Sequence, residues 1–406
     1  MMAGHVFARS YLSCVILPNS PSRLKNSSEP SPQPAVTGAV DRPWHMRAWS
    51  GITLGSWLRV LARHGFRVSL TRIPMAIILT GLSSFNSVLA AIQNLCCHRR
   101  IADTSLVSQP IFVVGHWRAG TTLLHELLVL DDQFTFPNTF ACFAPNHFLV
   151  SEWWLKRLIG FFLPRQRPMD NMAIGWDLPQ EDEWALCNMG LPSPYFKIMF
   201  PNLPMKDGQY SSLRDLAPDD RSHWQRRFHW FLKSLTVRSA KPIVLKTPVH
   251  TSRIAALVEL FPQAKFIHIT RDPAQVIPST LHTWRRMYRY HGLQIPRFEH
   301  LEQEVLSTFA DMFTLLEQDW PALSPLQTTT TSYEQLTDDP LPELERIYHH
   351  FQLPISPQVR QRWQAYVDRS ANYKTNRYVL PKEQRDAIDR SCGDYARKYG
   401  YATAGK

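Results

Sequence analysis

The segment Gly115-His116-Trp117-Arg118-Ala119-Gly120-Thr121-Thr122 follows a short apolar run and opens a helical pattern. Glycines at this spacing let backbone N–H groups converge on an anion at a helix N-terminus, where the helix dipole adds partial positive charge. In a nucleotide triphosphatase the second glycine precedes Lys and then Ser or Thr. Here Thr121 holds the Lys place, and the positive charge sits inside the loop as Arg118. No strand-terminal Asp of the magnesium-holding kind is evident on the other apolar runs, so magnesium-dependent phosphoryl transfer lacks two of its parts. A second anchor is Arg271, with Ser279 two helical turns later. Arg can fork onto a second phosphate and Ser can add its hydroxyl, which implies a ligand charged at both ends. Pairing of Arg271 with Asp272 is the structural alternative.

The elements that position these anchors are short apolar runs, each followed by a helical period. PIFVVG (110–115), KPIVLKTP (241–248) and AKFIHIT (264–270) are expected strands, with a weaker fourth in LQTTTTSYEQL (326–336). Strands alternating with helices predict an α/β fold around a parallel sheet. Ligands in such sheets bind beyond the carboxyl ends of the strands, where both anchors lie.

The loop GHWRAGTTLL resembles the 5′-phosphosulfate loop, P-[KR]-S-G-T-T, of sulfotransferases that use 3′-phosphoadenosine 5′-phosphosulfate (PAPS). Arg271 and Ser279 are similar to that family's 3′-phosphate motif, and LKTPVH is similar to a segment of its bacterial-type branch. The resemblance runs from about Pro110 to Leu353 and implies a P-loop-like parallel sheet flanked by helices, PAPS as co-substrate and no metal. It carries Arg118, Ala119, Gly120, Thr121, Thr122, Arg271 and Ser279 over as donor-binding residues. Tyr333, in a Y-E-x-L segment, matches an aromatic position near the adenine, with a core tyrosine as the alternative. Trp117 and Ala119 depart from the loop pattern, so the side-chain hydroxyl of the family's Ser is absent.

Sulfuryl transfer to a hydroxyl or amine needs a cation or acid at the leaving oxygen and a base at an attacking hydroxyl. Lys246 matches the family's strand-end Lys and is the candidate cation. For the base, His250 is preferred over Glu183, with Glu181 in the same acidic run; His250 as a helix N-terminal hydrogen-bonder and the carboxylates as a solvated face are the structural alternatives. The aromatic-rich segment 134–205 is the expected acceptor region, suited to an apolar or lipid-like molecule. A P-loop-type kinase, or a non-catalytic membrane- or nucleic-acid-binding protein on a degenerate nucleotide fold, are the competing functions.

Composition frames these assignments. With 44% hydrophobic and 12% aromatic residues, the 406-residue chain is not wholly disordered. Six cysteines without CxxC spacing suggest neither a zinc site nor a disulfide framework, so a cytoplasmic setting is expected. The net charge of +11 is uneven. Residues 1–102 hold 11 Lys and Arg against two acids, Glu29 and Asp41, leaving 34 basic and 32 acidic residues for 103–406. The expected organisation is a Ser/Pro-rich arm (1–40), a basic helical extension (41–102) and the sulfotransferase domain (103–406). No secretory signal is expected, since the start lacks a basic cluster and a small-residue cleavage site. The extension suits an acidic membrane surface, with the enzyme peripheral to it and no nucleic acid as partner. Its uncharged stretch 73–98 carries Gly, Pro, Ser, Asn and Gln, which favours a buried or interface-lying helical hairpin over a membrane span.

Overall fold

Four short runs rich in β-branched and aromatic residues pair into one parallel sheet: β1 (Ile111–Val114), β2 (Val244–Lys246), β3 (Lys265–Thr270) and β4 (Thr328–Ser332), in the order β2-β1-β3-β4. The computed structural model describes residues 45–159, 175–204, 209–370, 378 and 380–401. The arm at 1–40, the first residues of the extension and residues 160–174 and 205 of the acceptor region lie outside them.

Strand side chains alternate between two cores. Phe112, Val114, Leu245 and Phe266 enter the larger one, with Trp224, Phe228 and Phe309 from helices on that face. Ile111, Val113, Val244, Ile267 and Ile269 enter the second, with Leu124, Leu127, Ile347 and Trp363. Burial on both faces explains why β1 to β3 read as continuous apolar runs. Edge strand β4 is instead Thr-rich and buries only Thr329 and Thr331. The register pairs Val113 with Lys246, Val114 with His268 and Thr270 with Ser332. All four strands therefore end at one edge, and Gly115, Lys246, Arg271 and Tyr333 meet there.

The fourth strand is shorter than expected. Ser332 accepts from the backbone N–H of Gln335 while the Gln335 side chain accepts from the Ser332 N–H, a capping box that turns the chain into the helix Tyr333–Asp338.

The N-terminal extension forms helix α1 (Leu54–Arg63) and helix α2 (Ile73–Asp103). The latter is one continuous helix of 31 residues rather than a hairpin. Pro74 sits in its first turn, where no N–H is needed. The hydroxyls of Thr80, Ser84 and Ser87 donate to carbonyls one turn back, at 2.8, 3.0 and 2.8 Å, so these polar residues do not interrupt it. Trp49, Ile52 and Trp57 lie in the larger core, and Asn188 Nδ2 donates to the Ala48 carbonyl at 2.9 Å. The described residues from His45 onward thus form one packed unit, with no packing boundary near residue 102.

Candidate active site

The loop after β1 is held open by backbone geometry. Gly115 has φ +148° and Gly120 has φ +101°. A Cβ on Gly115 would stand 2.5 Å from the Ile269 carbonyl oxygen, and one on Gly120 would stand 2.5 Å from the Tyr333 ring. Any other residue at either position would push the loop off β3 or off Tyr333. Arg118 also lies in the left-handed region, at φ 69°, a conformation unfavourable to a residue with a Cβ. Gly120 caps helix α3 (Thr121–Leu128), so Thr121 and Thr122 begin that helix. Thr251 pins the loop from β2's side: its Oγ1 accepts from the Gly115 N–H at 2.8 Å and donates to the Gly115 carbonyl at 3.1 Å.

The two anion anchors meet. Arg118 Nε donates to Ser279 Oγ at 3.0 Å, and Arg271 Nη1 donates to the Arg118 carbonyl at 2.9 Å. The Arg271 guanidinium lies 3.9 Å from the centre of the Tyr333 ring, a cation–π contact that orients both. Asp272 caps the helix Pro273–His291 by accepting from the Ala274 N–H at 2.8 Å. The carboxylate that could have neutralised Arg271 thus serves a helix end.

At the end of β2 the Lys246 ammonium donates to Glu181 Oε1 at 2.9 Å and to Thr122 Oγ1 at 3.3 Å. Tyr195 donates its hydroxyl to Glu181 Oε2 and accepts from Trp117 Nε1 at 2.9 Å. Burial, with the Glu181 carboxylate, holds the Tyr195 phenol well above its ordinary value, so it remains a donor at neutral pH. The chain Trp117–Tyr195–Glu181–Lys246–Thr122 links the phosphate-type loop to the acidic run.

The other two carboxylates of that run turn away. Asp182 accepts from His250 Nε2 at 2.7 Å, with both side chains wholly buried. The His250 ring stands edge-on to Phe112, 5.3 Å between centres. Glu183 takes both arms of the Arg253 guanidinium, at 2.6 and 3.1 Å, again wholly buried. Of the sequence candidates, Arg118, Gly120, Thr121, Thr122, Lys246, Glu181, Arg271, Ser279 and Tyr333 come together at the sheet edge, with Ala119 packed beneath the loop at 1% exposure. His250 and Glu183 are interior residues. Tyr195 and Thr251 were not among the sequence candidates. Tyr195 reads there as one aromatic among many, and Thr251 carries no local signal, since its partner Gly115 is distant in the chain.

Comparison with known proteins identifies the family. The sulfotransferase family profile matches residues 110–357. The chain is 42% identical over 360 residues to omega-hydroxy-beta-dihydromenaquinone-9 sulfotransferase Stf3 of Mycobacterium bovis, covering 89% of this chain and 92% of that protein. The Stf3 of Mycobacterium tuberculosis matches to the same extent. The fold is similar to that of sulfotransferase STF9 from Mycobacterium avium, with TM-score 0.59 and 17% identity over 88% of this chain and 98% of that one. STF1 from Mycobacterium tuberculosis gives 0.55 and 18% over 84% and 91%. The chain belongs to the sulfotransferase family and is an enzyme of that class, which removes the kinase and non-catalytic alternatives.

Proposed function

We propose that this sulfotransferase moves a sulfuryl group from PAPS to the hydroxyl of a lipid-like acceptor, with Lys246 and Glu181 as the residues that carry the charge changes. One observation carries the reading. The Lys246 ammonium stands between Thr122, at the N-terminus of α3, and Glu181, so a cation and a carboxylate share the edge where the loop gathers its N–H groups. PAPS supplies the activated sulfur–oxygen bond. Arg118, Gly120, Thr121 and Thr122 hold its 5′ end, while the smallness of Ala119 keeps the loop close to the sheet. Arg271 and Ser279 grip the 3′-phosphate, and Tyr333, already stacked on Arg271, flanks the adenine.

Glu181 accepts the proton of the acceptor hydroxyl as that oxygen bonds to sulfur. The bond between sulfur and the bridging phosphate oxygen breaks in the same step, and Lys246 neutralises the charge left on that oxygen. Glu181 is the base in this reading because it is partly exposed, at 17% for its side chain, whereas His250 and Glu183 are sealed from any substrate. Those two hold the segment behind Glu181 in place.

A hydroxylated lipid is the acceptor class, of the kind named for the two Stf3 relatives. Trp117, Tyr195 and Trp284, clustered at 5.4–6.3 Å between ring centres, give the Glu181 side of the site an apolar wall. The region 41–102 meets an acidic membrane surface on the cytoplasmic side, which keeps the enzyme peripheral to its lipid acceptor.

The test is transfer from radiolabelled PAPS to a hydroxylated menaquinone, set beside calorimetry with the 3′,5′-bisphosphate. A labelled lipid formed by the native protein and lost with Lys246→Ala is expected. Bisphosphate binding without lipid product overturns the acceptor; absence of bisphosphate binding overturns the donor.

A further inference from the structure

Helix α2 is amphipathic in reverse. Its polar side chains Ser83, Asn86 and Gln93 are 0%, 5% and 0% exposed. Asn86 Nδ2 donates to the carbonyls of Ser50 and Ile52 at 2.7 and 3.1 Å, and Gln93 Oε1 accepts from the Leu149 N–H at 2.8 Å. Its outward row is apolar: Ile77, Phe85, Val88, Ile92 and Leu95 are between 43% and 87% exposed. From Phe85 to Leu95 these residues recur at three- and four-residue steps, with exposed Gly81 and Ser84 between Ile77 and Phe85, on the side opposite the buried Leu79, Ser83, Asn86 and Gln93. From Ile77 to Leu95 the row runs ~27 Å at 1.5 Å per residue. An ordinary surface helix places such residues inward, and an outward apolar row of this length marks a contact face.

We propose that this row of α2 seats the enzyme on an anionic bilayer, with the helix axis parallel to the membrane plane. Charge complementarity names the occupant. No acidic residue occurs between Asp41 and Asp103, while Arg59 and Arg63 on the adjoining α1, and Arg67 beyond it, are exposed. At the far end Arg99, also exposed, falls at the angular position of the apolar row. Apolar side chains at the acyl boundary with Arg at headgroup level is the arrangement of an interfacial helix.

Leu70–Asp103 is long and apolar enough to cross a bilayer by length and composition alone. Its packing decides for lying flat. The helix is held along its length by α1 and by the helices Phe148–Ile159 and Pro218–Arg238. Withdrawing it into hydrocarbon would strip Asn86 and Gln93 of their partners at the costliest depth. The inference rests on the membrane-facing reading of residues 41–102 and supplies its face and orientation.

The experiment uses the full chain and sedimentation with vesicles of phosphatidylcholine alone or mixed with phosphatidylglycerol. Binding to the mixed vesicles is expected, at least tenfold weaker for the Ile77→Glu/Val88→Glu/Leu95→Glu variant and several-fold weaker for Arg59→Gln/Arg63→Gln/Arg99→Gln. Melting temperature and affinity for the 3′,5′-bisphosphate should stay unchanged in both, which separates failure of the seat from failure of the donor site. Equal vesicle binding by the triple Glu variant overturns the proposal. So does self-association through this face, seen as a mass change by light scattering that the Glu variant abolishes, without vesicle binding. Spin labels at Ile77→Cys and Leu95→Cys, in a chain whose accessible cysteines are serine, test orientation: equal shallow depths are expected, and one deep with one in water overturns it.

Discussion

Glu181, Asp182 and Glu183 are consecutive, and each finds its partner in the segment Lys246–Arg253, yet the first and last pairs live in different solvents. The Lys246–Glu181 pair lies at the sheet edge, shares its ammonium with Thr122 and keeps Glu181 partly exposed. The Arg253–Glu183 pair is wholly buried, with both guanidinium arms used. Backbone position explains the divergence. Glu181 is the extended N-cap residue of the helix Asp182–Asn188, whereas Asp182 and Glu183 already lie in its first turn and point inward. A buried charge pair must be kept whole, because removing one partner strands the other in low dielectric. The Lys246–Glu181 pair differs in one respect: its ammonium is buried at 3% exposure, while its carboxylate keeps 17% of its side chain open to an incoming group. Neighbouring carboxylates of similar chemistry are thus divided by burial into one suited to reaction and two suited to support.

The largest effect should come from the interior pair. Arg253→Met is expected to lower unfolding stability by about 3–5 kcal/mol, read by urea denaturation. If it instead left stability intact and stopped transfer, the division between the pairs would be wrong. Glu181→Gln should cost about a thousandfold in kcat, leaving bisphosphate affinity and urea midpoint near native. A next, smaller effect concerns the ground between the pairs. His125, 1% exposed on α3, is pushed down to about 3 by burial and by the neighbouring Lys246 charge. Its folded value lies below the ordinary unfolded value of about 6.5, so the unfolded chain takes up a proton that the native chain refuses. The stability it supports is present above pH ~6.5 and declines as pH falls from there toward about 3; by pH 5 the loss is about 2 kcal/mol for this residue. His125→Asn should flatten that part of the urea-midpoint profile; an unchanged slope would remove His125 from the account. Smallest, Tyr195→Phe should lower kcat about tenfold by freeing Glu181 Oε2, with KM for the donor unchanged.

The loop proposed to hold the donor was legible because its signal is local. Two glycines, an arginine and two threonines in order specify a turn, a charge and a helix start within one stretch of chain. Arg271 and Ser279 were legible for the same reason, being eight residues apart, Arg271 just after β3 and Ser279 inside the helix Pro273–His291. The proposed base was not, since the residue types of Glu181, Glu183 and His250 say nothing of which keeps some exposure. Helix α2 is continuous rather than a hairpin, although its Gly, Pro, Ser, Asn and Gln argue against a membrane span. Back-bonding to the preceding turn satisfies the hydroxyls, and tertiary partners engage Asn86 and the Gln93 carbonyl oxygen. The end of β4 was placed four residues late because the Ser332–Gln335 capping box sits inside a Thr-rich run that otherwise continues the strand pattern.

By itself the sequence determined what depends on neighbouring residues: a parallel α/β sheet, the glycine-framed turn at Gly115–Thr122 that opens a helix, and a basic N-terminal quarter. Tertiary structure alone decided what depends on burial. It set Glu181 beside Lys246 and closed Glu183 and His250 inside. It also turned the polar side of α2 inward and left its apolar row outside. Backbone turns and helix starts are settled over a few residues by dihedral and hydrogen-bond preferences. Access to solvent is settled by segments distant in the chain, and here it separates the partly exposed Glu181 from the wholly buried Glu183.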